Sequence, residues 1–233
     1  DPLTTSQVRY LTELTTKPQY GRLTFMNLSV FVSDIALAMK EIDSRRPQAS
    51  NVRTGKLYQP GIGPHPETQT VNLVTEELQR MFSERYEGKL SLNVPYPDKS
   101  RQKCDLCVGS ESIWEWAIEI KMLRRMGDNG KPNDNILMHI LSPYPQDRSA
   151  LTDCAKLIES GFSGRKAVVI YGYDYPDFSM DPAIQAFEIL SRTTVQIGER
   201  IVHSYDDLVH PVHKTGRVFA WEVLGTKDET ITT

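Results

Sequence analysis

The triplet Glu119-Ile120-Lys121 places an acid and a base two residues apart inside a strand-like, largely apolar run. Because side chains alternate between the two faces of a strand, Glu119 and Lys121 share one face and the large apolar residues share the other. Asp105 lies on the preceding strand-like segment, and turn-forming residues between the two segments favour a hairpin. If the polar faces of this hairpin coincide, Asp105 and Glu119 converge beside the amine of Lys121.

This combination of groups is suited to one kind of chemistry. Two carboxylates and a backbone carbonyl, that of Ile120, form a hard oxygen site of the kind that Mg²⁺ prefers, with Mn²⁺ as a substitute. A lysine beside such a cation can position or activate a water molecule, as metal-assisted cleavage of a phosphodiester requires. The alternative is a solvated strand face, because exposed ion pairs of this type are common and contribute less than about 1 kcal/mol.

The pattern of Asp105 followed by Glu119-Ile120-Lys121 resembles the signature of the PD-(D/E)XK nuclease superfamily. That signature has an acid on one strand and an acid-x-Lys triplet on the next. The resemblance covers roughly residues 64–175, about half of the chain. The chain departs from the pattern at one position, because the proline usually written before the first acid is replaced by a cysteine here.

The resemblance implies a Mg²⁺-dependent endonuclease of the restriction or defence type that hydrolyses phosphodiester bonds, with double-stranded DNA as its partner. It also implies a possible homodimer, because cutting both strands of a duplex commonly takes two active sites. The implied catalytic residues are Asp105, Glu119, Lys121 and Glu67. The implied metal ligands are Asp105, Glu119, the carbonyl of Ile120, and Glu67.

Glu67 enters through the helix that precedes the first core strand, where members of the superfamily often carry an acid. A helix is predicted from about Glu67 to Tyr86, with apolar residues at spacings of three and four. Glu67 extends this apolar stripe by one step of four, whereas Glu77, the rival, lies on its flank. The alternative role for Glu67 is an acid favoured by the dipole at the start of a helix.

The order of predicted elements gives an α/β fold: a restriction endonuclease-like mixed β-sheet flanked by helices, with a helical N-terminal extension. A helix between the Lys121 strand and the next strand predicts a parallel crossover. The predicted core strands are 89–96, 102–108, 114–122, 165–173 and 216–224, and the predicted helices of the core's second half are 149–160 and 182–192.

Three regions are predicted along the chain. They are a helical N-terminal region at 1–63, a nuclease-like α/β core at 64–225 and a disordered tail at 226–233. The N-terminal region contains a predicted helix from Ser6 to Thr15 and a longer one, opened by Asn27 or Ser29. Sequence specificity is expected in loops and additions outside the core strands, such as residues 1–66 and 193–216.

Composition limits the cellular setting. The net charge of -3 does not indicate nucleic-acid binding, so positive charges would have to cluster locally. The sequence contains no apolar run long enough to span a bilayer and no visible secretory signal. Its odd number of cysteines, three, predicts reduced thiols in a cytoplasmic protein. Cys104 and Cys107 are predicted on opposite strand faces, where they cannot share a zinc ion.

Two other interpretations stay open. The chain could be a non-catalytic nucleic-acid-binding module on the same fold, or a protein-interaction module.

His210 and His213 are isolated from other candidate ligands in the sequence, so surface or loop roles are favoured over a metal site.

Overall fold

The computed structural model describes residues 26–111 and 113–226. The predicted helix from Ser6 to Thr15 lies outside the described residues, as does the predicted tail except for Thr226, which ends the last strand. Within the described ranges, none of the helices combines the length and the apolar character needed to cross a bilayer.

A mixed sheet forms the centre of the fold, as the order of elements predicts, and it has seven strands rather than the five predicted. The strands run in the order β1-β2-β3-β4-β7-β5, and β6 also pairs with β7. All pairs are antiparallel except β3 and β4, which are parallel. The strands are β1 Leu90–Tyr96, β2 Lys99–Ser110, β3 Ile113–Leu123, β4 Arg165–Asp174, β5 Val195–Ile197, β6 Ile201–Tyr205 and β7 Thr215–Thr226.

Helices cover both faces of this sheet. α1 and α2 contribute to the core on one face, and α5 and α6 contribute to the core on the other. The side chain of Asn27 accepts a hydrogen bond from the amide of Ser29 at 2.8 Å, which confirms Asn27 as the cap of α1. The helices are α1 Leu28–Ser44, α2 Glu67–Met81, α3 Ser83–Tyr86, α4 Met138–Leu141, α5 Ala150–Ile158 and α6 Asp181–Thr194, with a 3₁₀ turn at Pro145–Asp147.

The predicted parallel crossover is present. β3 and β4 pair in parallel from Trp116↔Arg165 to Leu123↔Gly172, and α5 lies between them in the chain. The apolar run of β4 alternates between the two cores, with Val169 toward α1 and α2 and Val168 toward α5 and α6. A strand buried on both faces needs such a continuous apolar sequence.

The alternation of side chains reverses in the hairpin of β1 and β2. Asn93 adopts φ 53, and on either side of it the residues of β1 pack into opposite cores. The paired strand β2 shows the same reversal, since Leu106 faces α1 and α2 whereas Cys104 faces α5. The prediction that Cys104 and Cys107 lie on opposite faces is therefore wrong; both thiols are buried, free and in the same core.

Apolar spacing in the sequence predicts one buried stripe for each of the helices α5 and α6, and both predictions are wrong in part. The predicted stripes are Leu151, Cys154, Ala155 and Ile158 on α5, and Ile184, Phe187, Ile189 and Leu190 on α6. Ala155 is exposed on α5, and the charged Asp153 is buried in its place. On α6, Ile189 and Leu190 are exposed, whereas Glu188 is buried. Asp153 contacts two lysines and Glu188 contacts Arg200. A carboxylate can take the place of an apolar residue in a core when such cationic partners compensate its charge.

The last strand in sequence, β7, lies inside the sheet. It pairs with β4 along one edge and with β5 and β6 along the other. β5 and β6 fall within 193–216, a segment predicted to lie outside the core strands, and both are short. Gly216 is required at the start of β7, because an added Cβ would lie 2.2 Å from the carbonyl oxygen of Gly172.

Candidate functional site

The candidate site lies where β2 and β3 separate. Their pairing ends at Leu106↔Ile118, and beyond that point β3 pairs only with β4. Alternate residues of a strand direct their backbone groups to the same side, so the amides of Ile120 and Met122 face the gap. Two of the predicted acids fill it: Asp105 Oδ2 accepts from the Ile120 amide at 2.8 Å, and Glu67 Oε2 accepts from the Met122 amide at 2.6 Å.

Glu67, rather than Glu77, is the acid that α2 brings to β3. Glu67 is the first residue of the helix and reaches the strand through its half-buried side chain. Glu77 is buried elsewhere, between Arg45 and Arg80, and these two guanidinium groups lower its pKa against the opposing effect of burial. Glu77 therefore has a structural role in joining α1 to α2.

The side chains of Glu119 and Lys121 lie on the face of β3 that α5 covers. Glu119 is buried and accepts hydrogen bonds from the hydroxyl of Tyr96 and, at 2.8 Å, from the amine of Lys156. Lys121 Nζ lies 2.6 Å from Asp153 Oδ2 and 3.9 Å from Asp105 Oδ2. The structure thus brings the predicted acid-x-Lys pair and Asp105 into one cluster.

Two members of this cluster, Asp153 and Lys156, are missed by the sequence analysis. They lie three residues apart on α5, and Lys156 Nζ contacts Asp153 Oδ1 at 2.9 Å. α5 begins after Ser149, whose hydroxyl accepts from the amide of Thr152. The signal that could have found the pair is the crossover itself, because a helix that follows β3 and leads to β4 packs over one face of both strands.

The cluster carries a surplus of negative charge. When all four carboxylates and both lysines are ionised, two negative charges are left uncompensated within the cluster. The carboxylates are those of Glu67, Asp105, Glu119 and Asp153, and the lysines are Lys121 and Lys156. A buried surplus of this kind is unfavourable unless a cation neutralises it.

The pKa values reflect this surplus. Burial, and then the charges of Asp153 and Asp105, raises the pKa of Glu119 well above its ordinary range, and Lys156 offsets only part of the effect. Burial also raises the pKa of Glu67, against the opposing effects of Lys121 and the Met122 amide. Burial disfavours the charge on Lys121, but the surrounding carboxylates outweigh it and raise the pKa of the amine.

The donor set fits a hard divalent cation. It consists of carboxylate oxygens and the carbonyl of Ile120, which lies 3.3 Å from Lys121 Nζ, and the charge of such a cation would match the uncompensated charge. The carboxylates of this cluster do not converge as a preformed cage. No three of them have oxygens within 4.8 Å of one another, and the described part of the chain has such a group of three ligand atoms at only one other place. The two lysines and the strand amides hold the carboxylates apart.

That other group consists of Asp128, His210 and His213. The two histidines lie in a loop, one of the two roles predicted for them, but they are not on the surface, because both are fully buried. His213 Nε2 lies 3.0 Å from Asp128 Oδ1, and its Nδ1 lies 2.9 Å from the hydroxyl of Tyr175. The sequence gives no sign of this contact, because Asp128 and His213 are 85 residues apart.

The geometry of the histidine pair opposes a shared metal ion. The two rings are stacked, with centroids 4.6 Å apart and planes at 21°, so their in-plane lone pairs do not converge on one point. The Nδ1 of His210 accepts from the amides of Val212 and His213, which leaves the proton on its Nε2. Asp128, His210 and His213 therefore form a packing and hydrogen-bonding unit.

We expect acid to destabilise the protein through His210. Burial, followed by the charge of His213, lowers the pKa of His210 from 6.5 to about 4. The neutral form thus contributes stability that is complete above pH 6.5 and is lost as the pH falls toward 4, by up to about 3 kcal/mol. Urea unfolding between pH 7 and 4 measures this loss. The variant His210→Gln should lose less stability than the wild type over the same range, and an equal loss would contradict the assignment.

The chemistry available to the cluster at β3 is mainly that of oxygens and ammonium groups. The hydroxyl of Tyr96 is bonded to Glu119, and burial together with that carboxylate raises its pKa. The contact with Cys107 and burial raise the pKa of the neighbouring Cys104 thiol, so both groups are poor nucleophiles. The arrangement suits the binding of a cation and the orientation of water rather than covalent catalysis. Comparisons of the chain with protein-family models, curated proteins and solved structures found no match.

Proposed function

We propose that this protein is a metal-dependent endonuclease with a restriction endonuclease-like fold that hydrolyses phosphodiester bonds in double-stranded DNA. The observation that carries the proposal is the cluster at the separation of β2 and β3, in which the acid-x-Lys pair lies with three further carboxylates and one further lysine. The resemblance of Asp105 and Glu119-Ile120-Lys121 to the PD-(D/E)XK signature supports the same chemistry. The three free, buried cysteines suit a reducing compartment such as the cytoplasm.

Asp105, Glu119 and the carbonyl of Ile120 would hold Mg²⁺, with Glu67 as a further ligand, directly or through water. When bound, the cation would polarise the scissile phosphate and stabilise charge on the leaving oxygen. Asp105 and Glu67 also accept strand amides, which fixes their side chains at the edge of β3 before any ligand arrives.

Lys121 acts in this mechanism as a charged hydrogen-bond donor. Its raised pKa keeps the amine protonated at neutral pH in the metal-free protein, so it is not a general base there. Asp153, at 2.6 Å, orients the ammonium group. From this position Lys121 can direct a water molecule toward the phosphate or stabilise charge that develops on a phosphate oxygen.

The proposal is tested by incubating the protein with plasmid, linear duplex, single-stranded DNA and RNA, in Mg²⁺ or in a chelator. We expect cleavage of duplex DNA in Mg²⁺ and Mn²⁺, no cleavage in the chelator, and cutting of both strands to increase with protein concentration if two copies act together. Binding of duplex DNA without cleavage in any metal would favour the non-catalytic module. Cleavage that persists in the chelator would overturn the proposed mechanism.

A further inference from the structure

We propose that Lys156 and a divalent cation compete for Glu119, so that the cation enters the site only as Lys156 leaves it. This inference rests on the metal-binding part of the proposed function. Lys156 Nζ lies 2.8 Å from Glu119 Oε1 and 2.9 Å from Asp153 Oδ1, between oxygens from two different elements. An ammonium group in this place supplies part of the positive charge that the carboxylates need.

A divalent cation and Lys156 cannot both occupy this position. A cation that binds Glu119 would lie close to the ammonium group, and like charges repel strongly where little water separates them. Glu119 cannot turn away from Lys156, because its side chain is buried and the hydroxyl of Tyr96 holds the same oxygen, Oε1, that Lys156 contacts. A cation on the other oxygen of this carboxylate would still lie close to the ammonium group. The exchange therefore has to occur at Lys156.

Of the two lysines in the cluster, Lys156 is the one that can leave. The side chain of Lys121 is 11% exposed and comes from a strand inside the sheet, whereas that of Lys156 is 25% exposed and comes from the last turn of α5. The Lys156 amine also lies 5.3 Å from the centre of the Tyr96 ring, which adds a cation–π contact to its two ion pairs. A four-carbon side chain on a helix surface can swing into solvent without a change in the backbone.

The charge on Lys156 then has a consequence for affinity. If the ammonium group competes with the cation, its removal should tighten binding of Mn²⁺ by about tenfold, an ordinary size for coupling between two bound groups. If Lys156 were needed instead to hold Glu119 and Asp153 in position for the cation, its removal would leave the affinity unchanged or would weaken it. The two roles thus predict opposite results.

The experiment measures Mn²⁺ binding by electron paramagnetic resonance of the free ion, without nucleic acid. We expect Lys156→Met to bind Mn²⁺ about tenfold more tightly than the wild type and Lys156→Arg, which keeps the charge, to bind no more tightly. The matched control is Lys99→Met, which removes an exposed lysine paired with Glu159 and should keep the wild-type affinity. Unchanged or weaker binding by Lys156→Met would overturn the inference.

A second measurement uses the unaltered protein and does not depend on the folding of a variant. Acetic anhydride labelling, followed by mass spectrometry, reports the accessibility of each amine. Added Mn²⁺ should increase labelling of Lys156 several-fold relative to Lys99, because the amine is released. Equal or lower labelling of Lys156 in Mn²⁺ would contradict the exchange. If Mn²⁺ releases Lys156 but no nucleic acid is cut under any condition, the exchange stands and the proposed nuclease function fails.

Discussion

Replacement of Lys121 by methionine should reduce DNA cleavage by about a thousandfold or more, the largest effect that we expect from a single substitution. The change removes the ammonium group that Asp153 orients at 2.6 Å and that lies 3.9 Å from Asp105. Without it, neither the water nor the charge on the phosphate is stabilised by this side chain. Single-turnover cleavage of a labelled duplex in Mg²⁺ measures the rate, and near-ultraviolet circular dichroism checks the fold.

Two further variants separate the possible roles of Lys121. Lys121→Arg keeps the positive charge but cannot lose its proton, so it should retain more cleavage than Lys121→Met if the group acts as a charged donor. If Lys121→Arg were as inactive as Lys121→Met although correctly folded, the amine would have to transfer a proton. Lys99→Met again provides the matched control, and equal cleavage by Lys121→Met and the wild type would overturn the assignment of the site.

Replacement of Asp43 by alanine should lower the free energy of unfolding by about 3 kcal/mol, the largest loss of stability that we expect from removing a buried polar side chain. Asp43 is buried in the last turn of α1, where the helix dipole opposes an acid. Its carboxylate is held by two distant amides, those of Ile62 at 2.8 Å and Val209 at 2.5 Å. Alanine leaves both amides without this acceptor.

Urea unfolding at pH 7 measures the effect. Glu41→Ala is the matched control, because Glu41 lies in the same helix but is only half-buried, and its contact with Arg80 is 3.4 Å long. It should change the stability by less than about 1 kcal/mol. Similar unfolding free energies for Asp43→Ala and the wild type would show that the loops containing Ile62 and Val209 do not depend on Asp43 for their positions.

The central strands were predictable because each carries a strong local signal. The two-residue period of β3 and the continuous apolar run of β4 placed both strands, and the helix between them predicted their parallel pairing. Glu67, Glu119 and Lys121 could be predicted for the same reason, since the faces on which they lie follow from helix and strand periodicity. The ends of the predicted core strands differ from the observed ones by at most three residues.

The remaining features depend on contacts that no local pattern encodes. In the sequence, Asp153 and Lys156 look like ordinary polar residues of a helix, and only the packing of α5 on β3 brings them to the cluster. The spacing of apolar residues also assigns Ala155 to the buried face of α5, although it is exposed. The reversal in the β1-β2 hairpin depends on the positive φ of Asn93, a backbone state that the amino-acid type permits but does not require. Periodicity assumes regular backbone and fails at such a residue.

The position of β7 has a consequence for synthesis in the cell. This strand leaves the ribosome after the other described strands, yet it fills the place between β4 and the two short strands β5 and β6. Until then, the backbone edge of β4 and its apolar side chains have no neighbour on that side, and a nascent chain in this state is open to pairing with other chains. A chain that stops before Thr215 should therefore aggregate rather than form a smaller version of the domain.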